Sequence, residues 1–275
     1  MLIYYFETDA SLPIIVISKS SPKMIHQISS KRLNFKDLQY IANYVTELQL
    51  SESSIAAINN CRAYLDENFG TKDSEPTYGV NTGFGSLCNT QIANEQLTQL
   101  QHNLIMSHAC GTGQQVPNEI VRLMLFLKIQ SLSYGHSGIS LQVVQRLVDF
   151  FNNGVFPVIY EQGSLGASGD LAPLAHLSLP LLGLGEVEYD GKRYTGKEIN
   201  KLKGWQPLKL HSKEGLALIN GTQFMLAYGL HLSIESQKLW YWAHVTTAIS
   251  LDGFSCNMSP FDERIHLIRP HKGQL

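Results

Sequence analysis

Between Glu214 and Leu251 the chain is helical in pattern and apolar on most sides, broken only near Asn220-Gly221. A helix apolar all round cannot face water. It belongs in the centre of a large bundle. After it the chain runs only to Arg269-Pro270-His271-Lys272-Gly273-Gln274-Leu275, with no finishing helix. The helices from 214 onward have too few partners left in the sequence, which reads as cut inside a larger helical protein.

Upstream the elements are shorter and amphipathic. Leu38, Ile41, Ala42, Val45 and Leu48 recur at threes and fours and predict a helix over 36–49. Ile55, Ile58 and Leu65 do the same over 52–68, with Gly70 as a stop. Residues 92–108, 118–133 and 140–152 return to helical pattern, the last ending at Asn153-Gly154. Residues 186–195 read as a hairpin turning at Asp190-Gly191. Residues 1–30 read as a weakly structured lead-in with a short strand at 12–17. There is no internal repeat. The expectation is a mainly α fold with small strands, divided into 1–30, 31–213 and 214–275.

Composition excludes several classes. Hydrophobic residues make up 44% of 275, enough for a sizeable core without disulfides or metal. Charged residues are only 16%, which fits a surface partly buried in an assembly. A net charge of −2 leaves no basic footprint for nucleic acid. Cys61, Cys88, Cys110 and Cys256 form no CxxC pair and match no zinc spacing, so reduced thiols and no metal are expected. No run approaches the about 18 apolar residues of a membrane span. Glu7 and Asp9 precede the short apolar run 14–17, and no small-residue cleavage site follows. A cytoplasmic protein is the resulting expectation.

Two glycine-rich segments interrupt the helices, Tyr-Gly-Val-Asn-Thr-Gly-Phe-Gly at 78–85 and Gly-Ser-Leu-Gly-Ala-Ser-Gly-Asp at 163–170. Neither is a phosphate loop, a dinucleotide fingerprint or a Gly-x-Ser-x-Gly nucleophile elbow, and HExxH is absent. Ala167-Ser168-Gly169 has a chemistry of its own. Glycine lacks Cβ, so the Gly169 nitrogen can approach the Ala167 carbonyl two residues back. Attack there closes a five-membered ring. Loss of water from that carbon and from Ser168 leaves a conjugated exocyclic methylene. The product, 4-methylidene-imidazol-5-one (MIO), is a strong electrophile made without an external cofactor. Taken alone, the tripeptide fits better a turn before a helix, with Ser168 or Asp170 as N-cap.

The wider context reverses that preference. Gly163–His176 and Tyr78–Gly85 are joined by two further blocks. One is Asn103-Leu104-Ile105-Met106-Ser107-His108-Ala109-Cys110-Gly111-Thr112-Gly113; the other is Glu214-Gly215-Leu216-Ala217-Leu218-Ile219-Asn220-Gly221-Thr222-Gln223. In order and spacing the four resemble the MIO-dependent aromatic amino acid ammonia-lyase family, most closely its histidine-specific members. The resemblance covers roughly 35–275. It implies an N-terminal MIO domain with small strands, followed by the start of a long L-aspartase/fumarase-like central bundle.

The resemblance also implies an activity: elimination of ammonia from L-histidine to give urocanate. The MIO, built from Ala167, Ser168 and Gly169, takes the substrate amine and improves it as a leaving group. Tyr78 matches the base that removes the poorly acidic β-proton. A phenol acts so near neutral pH only with positive charge or donors close by. Ser107-His108 occupies the selectivity pair, and a neutral histidine there suits a polar ring. Asn220 matches an asparagine that contacts the MIO oxygen and the substrate carboxylate region. Leu171 and His176 fit packing and support. Tyrosine or another aromatic amino acid, an MIO aminomutase, and a non-catalytic helical scaffold remain open. Family members are homotetramers acting on small-molecule amino-acid substrates, and they continue well past the equivalent of Leu275. The missing half carries a Tyr-Ser-x-Arg block whose arginine clamps the substrate carboxylate; Arg269 lies in a different motif. The resemblance therefore implies a chain inactive as it stands.

Overall fold

The fold is built around α4 (Asn118–Leu132), whose run Leu123-Met124-Leu125-Phe126-Leu127-Lys128-Ile129 is buried on every side. It packs against α5 (Leu141–Asn153) and the long α9 (Gln223–Gly253). The computed structural model describes residues 23–69, 75–85, 88–167 and 169–274. Helix α5 buries one stripe, Val143, Val144, Leu147, Val148, Phe150 and Phe151. It ends at Gly154, whose φ of 64° closes the helix in the left-handed region.

The helix expected over 36–49 is two elements. Helix α1 (Phe35–Tyr44) starts on a capping box between Asn34 and Asp37. It ends at Val45, which is extended with ψ 125°. Glu47–Leu50 then forms β2, parallel to β1 (Ile25–Ile28). Val45 and Leu48 are spaced as on a helix face, Leu48 and Leu50 as on a strand face, and a run this short is decided by its partners. Here the partners are β1 on one side and the Asn152 amide of α5 on the other. That amide donates to the Leu48 carbonyl at 2.9 Å and accepts from its N–H at 2.7 Å. Residues 25–28, expected in the lead-in, thus belong to the body, with Ile28 fully buried. The strand expected at 12–17 and the stop at Gly70 lie outside the described residues.

The other helical expectations appear as α2 (Glu52–Phe69), α3 (Asn94–His108), α4 and α5. The hairpin is present as β6 (Glu186–Tyr189) and β7 (Lys192–Thr195), with β4 (Phe156–Pro157) antiparallel to β6. Asp190 and Gly191 take φ of 49° and 69°, the paired positive values of a two-residue hairpin turn. Thr195 and Glu198 form a capping box that starts α7 (Gly196–Lys203).

A second small ladder matters more for function. Strand β3 (Thr112–Gln115) pairs antiparallel with β5 (Tyr160–Gln162). After β5 come the second glycine-rich loop and α6 (Leu171–Ser178). The apolar run from 214 is split as its sequence indicates, into α8 (Glu214–Ile219) and α9. Only the first turns of α9 are covered, through Gln223, Ala227, Leu230 and Ile234. Beyond them Leu239, Trp240, Trp242 and Ile249 are exposed, and no described element packs over them. A short α10 (Glu263–Ile268) follows. The fold is mainly helical, and among the described residues no helix is long and apolar enough to cross a membrane.

Candidate active site

The short helix α8 is where the sequence blocks meet. Its buried first residue, Glu214, accepts from the N–H groups of Ser140 at 2.8 Å and His211 at 2.6 Å, which fixes its start. Gly215 packs on α3 and donates to the buried Gln101 side chain at 2.9 Å. A Cβ there would lie 2.9 Å from the Gln101 carbonyl oxygen, so only glycine lets the two helices approach this closely. Leu216 packs against Gly79, where any Cβ would collide with it.

Gly79 places the first loop, 78–85, on α8. Asn81 is buried and ties the loop's entry, accepting from Thr77 N–H at 2.7 Å and donating to the Glu75 carbonyl at 3.1 Å. Gly83 N–H donates to the Thr90 carbonyl at 3.0 Å. Held this way, Tyr78 keeps its ring half exposed and edge-on to Phe84, with centroids 6.0 Å apart. The Lys213 ammonium lies 3.5 Å from the Cβ position of Gly79, which brings a positive charge to this loop. Burial pushes the Lys213 pKa below its usual value, while Cys61 opposes the shift.

His108 closes α3. Its Nδ1 lies 2.8 Å from the Leu104 carbonyl oxygen, and Ser107 Oγ donates to the same oxygen at 3.1 Å. A carbonyl oxygen only accepts, so Nδ1 carries the proton. In the neutral ring, Nε2 is then left as an acceptor. The chain continues into Gly111, whose N–H donates to His176 Nε2 at 3.0 Å. Burial lowers the His176 pKa, which keeps that nitrogen an acceptor. The His176 ring is edge-on to Tyr160 of β5 at 5.3 Å. A Cβ on Gly163 would stand 3.0 Å from the Gly111 Cα. The segment carrying His108 and the loop after β5 are thereby locked together.

The second loop packs against the break between α8 and α9. Asp170 N–H donates to the Gly221 carbonyl at 2.7 Å. Gly169 takes φ 99°, and a Cβ on it would lie 2.6 Å from the Gly221 oxygen and 2.9 Å from its nitrogen. Ala167 is exposed beside it; Ser168 lies outside the described residues. Asp170 takes the N-cap position expected of it, before α6, but its buried carboxylate makes no cap bond there. It accepts instead from Ser164 Oγ at 2.8 Å and from Met225 N–H, at the start of α9, at 3.0 Å. There it meets one of the free N–H groups and the positive potential of a second helix N-terminus. Asn220 stands at the C-terminal end of α8 with its side chain exposed, while its carbonyl accepts from Lys128 Nζ at 3.0 Å.

Gly79, next to Tyr78, therefore packs on α8, Gly169 packs on Gly221 just past its end, and Asn220 is its C-cap, with Ser107 and His108 on the helix that packs beside it. Sequence reasoning missed the Asp170 bond to α9 and the buried Lys128. A single lysine within the apolar run of α4 was the available signal. Among the described residues no group of three or more His, Cys, Asp or Glu side chains is placed to hold a metal. A cleft of about 480 Å³ lined by residues including Glu119, Arg122, His231 and Glu235 lies on the α1–α4–α9 face and contains none of the candidate residues.

Residues 33–275 match the family model for aromatic amino acid lyase. The chain is 43% identical over 251 residues to histidine ammonia-lyase 2 of Fusobacterium nucleatum, covering 91% of this chain and 49% of that protein. It is 48% identical over 244 residues to histidine ammonia-lyase of Legionella pneumophila, covering 89% and 48%. Among solved structures, the histidine ammonia-lyase of Trypanosoma cruzi superposes with a TM-score of 0.82 at 36% identity, over 91% of this chain and 48% of that one. The phenylalanine aminomutase of Pantoea agglomerans gives 0.83 at 31%, over 90% and 47%. The chain spans about half the length of the curated relatives it matches. With a family match over nearly the whole chain and a backbone that follows two of its solved members, this protein belongs to the aromatic amino acid lyase family.

Proposed function

We propose that this chain supplies the N-terminal half of a histidine ammonia-lyase, which eliminates ammonia from L-histidine to give urocanate. The observation that carries the reading is the seating of Gly169, at φ 99°, directly against Gly221. A loop held this tightly at a residue without Cβ suits an MIO built from Ala167, Ser168 and Gly169. In its formation the Gly169 nitrogen bonds to the Ala167 carbonyl carbon. That oxygen leaves as one water with the two amide protons of Gly169 and Ser168. Ser168 loses its hydroxyl and its α-proton as a second. Once formed, the group supplies an electrophile for the substrate amine.

The remaining roles fall to side chains around α8. Tyr78 takes the β-proton, and the Lys213 ammonium stands beside its loop. Asn220 presents its free amide to the substrate carboxylate region. His108, with Nδ1 protonated, offers Nε2 to a donor on the substrate ring, and Ser107 steadies the shared Leu104 carbonyl. An imidazole N–H meets that acceptor. A phenol O–H does so equally, which makes tyrosine the second reading. The similarity to an aminomutase of solved structure keeps re-addition of ammonia at the β-carbon as the product-level alternative.

The division at 213/214, with 31–213 as the MIO domain, follows the change from short elements to α8 and α9. Homotetrameric assembly in the cytoplasm is part of the same reading, and the uncovered apolar half of α9 is consistent with it. The test is the mass of the peptide spanning 167–169. The unaltered chain is expected to be lighter there by two waters, and Ser168→Ala to keep its full mass while folding normally. A chain with both waters retained refutes the MIO assignment.

A further inference from the structure

Lys128 is a buried charge that the catalytic reading leaves unused. It lies in α4 between Leu127 and Ile129, with 1% of its surface exposed. Among the described residues no carboxylate pairs with it. Its hydrogen-bond partner is the carbonyl of Asn220, 3.0 Å away. Burial pushes its pKa down to about 7. An amine in such a place is costly, and leucine or methionine would fill the same volume at no electrostatic cost. What it gains is a bond at one point of the chain, the last carbonyl of α8, where the helix leaves its acceptors unmatched.

That carbonyl opens the link Asn220-Gly221-Thr222. One residue on, Gly221 accepts from Asp170 N–H at 2.7 Å and packs on Gly169. At the far end of the link Met225 N–H donates to the Asp170 carboxylate at 3.0 Å. The link is thus gripped by an amine at the end of α8 and a carboxylate at the start of α9, and between these grips it presses on the loop. We propose that Lys128 is a positioning residue: through the Asn220 carbonyl it holds Gly221 against Gly169 and Asp170, and ring closure at 167–169 depends on that hold. This rests on the reading that the loop cyclises.

The test uses the whole 275-residue chain with Lys128→Met, which keeps the volume and removes the donor, and Lys128→Arg, which keeps a donor. Two quantities are measured. One is amide hydrogen exchange at Asp170, with the amides of α4 as internal reference. The other is the rate at which the 167–169 peptide loses two waters. Lys128→Met is expected to exchange about tenfold faster at Asp170, the loss of one hydrogen bond. Its reference amides should be unchanged and its peptide should lose water at least tenfold more slowly. Lys128→Arg should recover both. If Lys128→Met does not fold, Lys128→Gln is read in the same way. Unchanged Asp170 exchange overturns the proposal, and so does faster exchange with a normal rate of water loss. A general loosening would accelerate the α4 amides as well, and this too overturns it. If the unaltered chain keeps both waters, the cyclisation reading fails by itself, and the exchange comparison still decides whether Lys128 holds the link.

Discussion

Replacing Gly169 by alanine tests the packing of the second loop directly, because a nearby glycine supplies the control. Both Gly166 and Gly169 have positive φ, 71° and 99°. A Cβ on Gly166 meets nothing within 4 Å, whereas one on Gly169 lies 2.6 Å from the Gly221 carbonyl oxygen. Holding an L side chain at positive φ costs about 1–2 kcal/mol. Restricting the unfolded chain returns about 0.4–1 kcal/mol. Gly166→Ala should therefore cost about 0.5–1 kcal/mol. Gly169→Ala carries the same backbone term plus a clash with backbone that cannot rotate away. Relief needs the loop or the link to move, which breaks the Asp170–Gly221 bond and adds about 1–2 kcal/mol for that hydrogen bond and its packing. The expected total is about 1.5–3 kcal/mol. Urea unfolding of both variants, followed by circular dichroism with m-values compared, reads the difference. Equal midpoints for the two variants would refute the close approach of link and loop.

Further outcomes follow from the same structure. The His176 pKa is lowered by burial, as are those of His102 and His26. On acidification the unfolded rings bind protons before the folded ones do. Stability is therefore complete above about pH 6.5 and falls as pH drops toward the folded values; a urea midpoint constant from pH 7.5 to 5 contradicts this, and His176→Asn should flatten the slope. Asn152→Ala strips both hydrogen bonds from the buried Leu48 backbone and should cost about 2–3 kcal/mol, measured by thermal unfolding. In a chimera carrying the C-terminal half of a curated relative, His108→Phe should lower kcat/KM for histidine and tyrosine about ten- to a hundredfold, with phenylalanine favoured relative to both. An equal loss on all three substrates would make His108 structural and not selective.

The sequence by itself determined the identity of most elements and of the chemistry-bearing blocks. Helices α2 to α5, the hairpin at Asp190-Gly191 and the break at Asn220-Gly221 are local matters. Periodicity, positive-φ residues and glycines act within a few positions along the chain, so they can be read there. The Ala-Ser-Gly tripeptide and the Tyr78 octapeptide are legible for the same reason, since their chemistry depends on adjacent atoms. Tertiary structure decided what depends on partners far along the chain. Residues 47–50 became a strand because β1 and Asn152 supply their hydrogen bonds, although their apolar spacing also suits a helix. Asp170 serves α9 and not its own helix because a free N-terminus, 55 positions away in sequence, lies within reach. The lock of His176 on Gly111 and the amine beneath Asn220 are fixed the same way. A hydrogen bond across 65 or 92 positions leaves no trace in local pattern, because it exists only once the chain has closed upon itself.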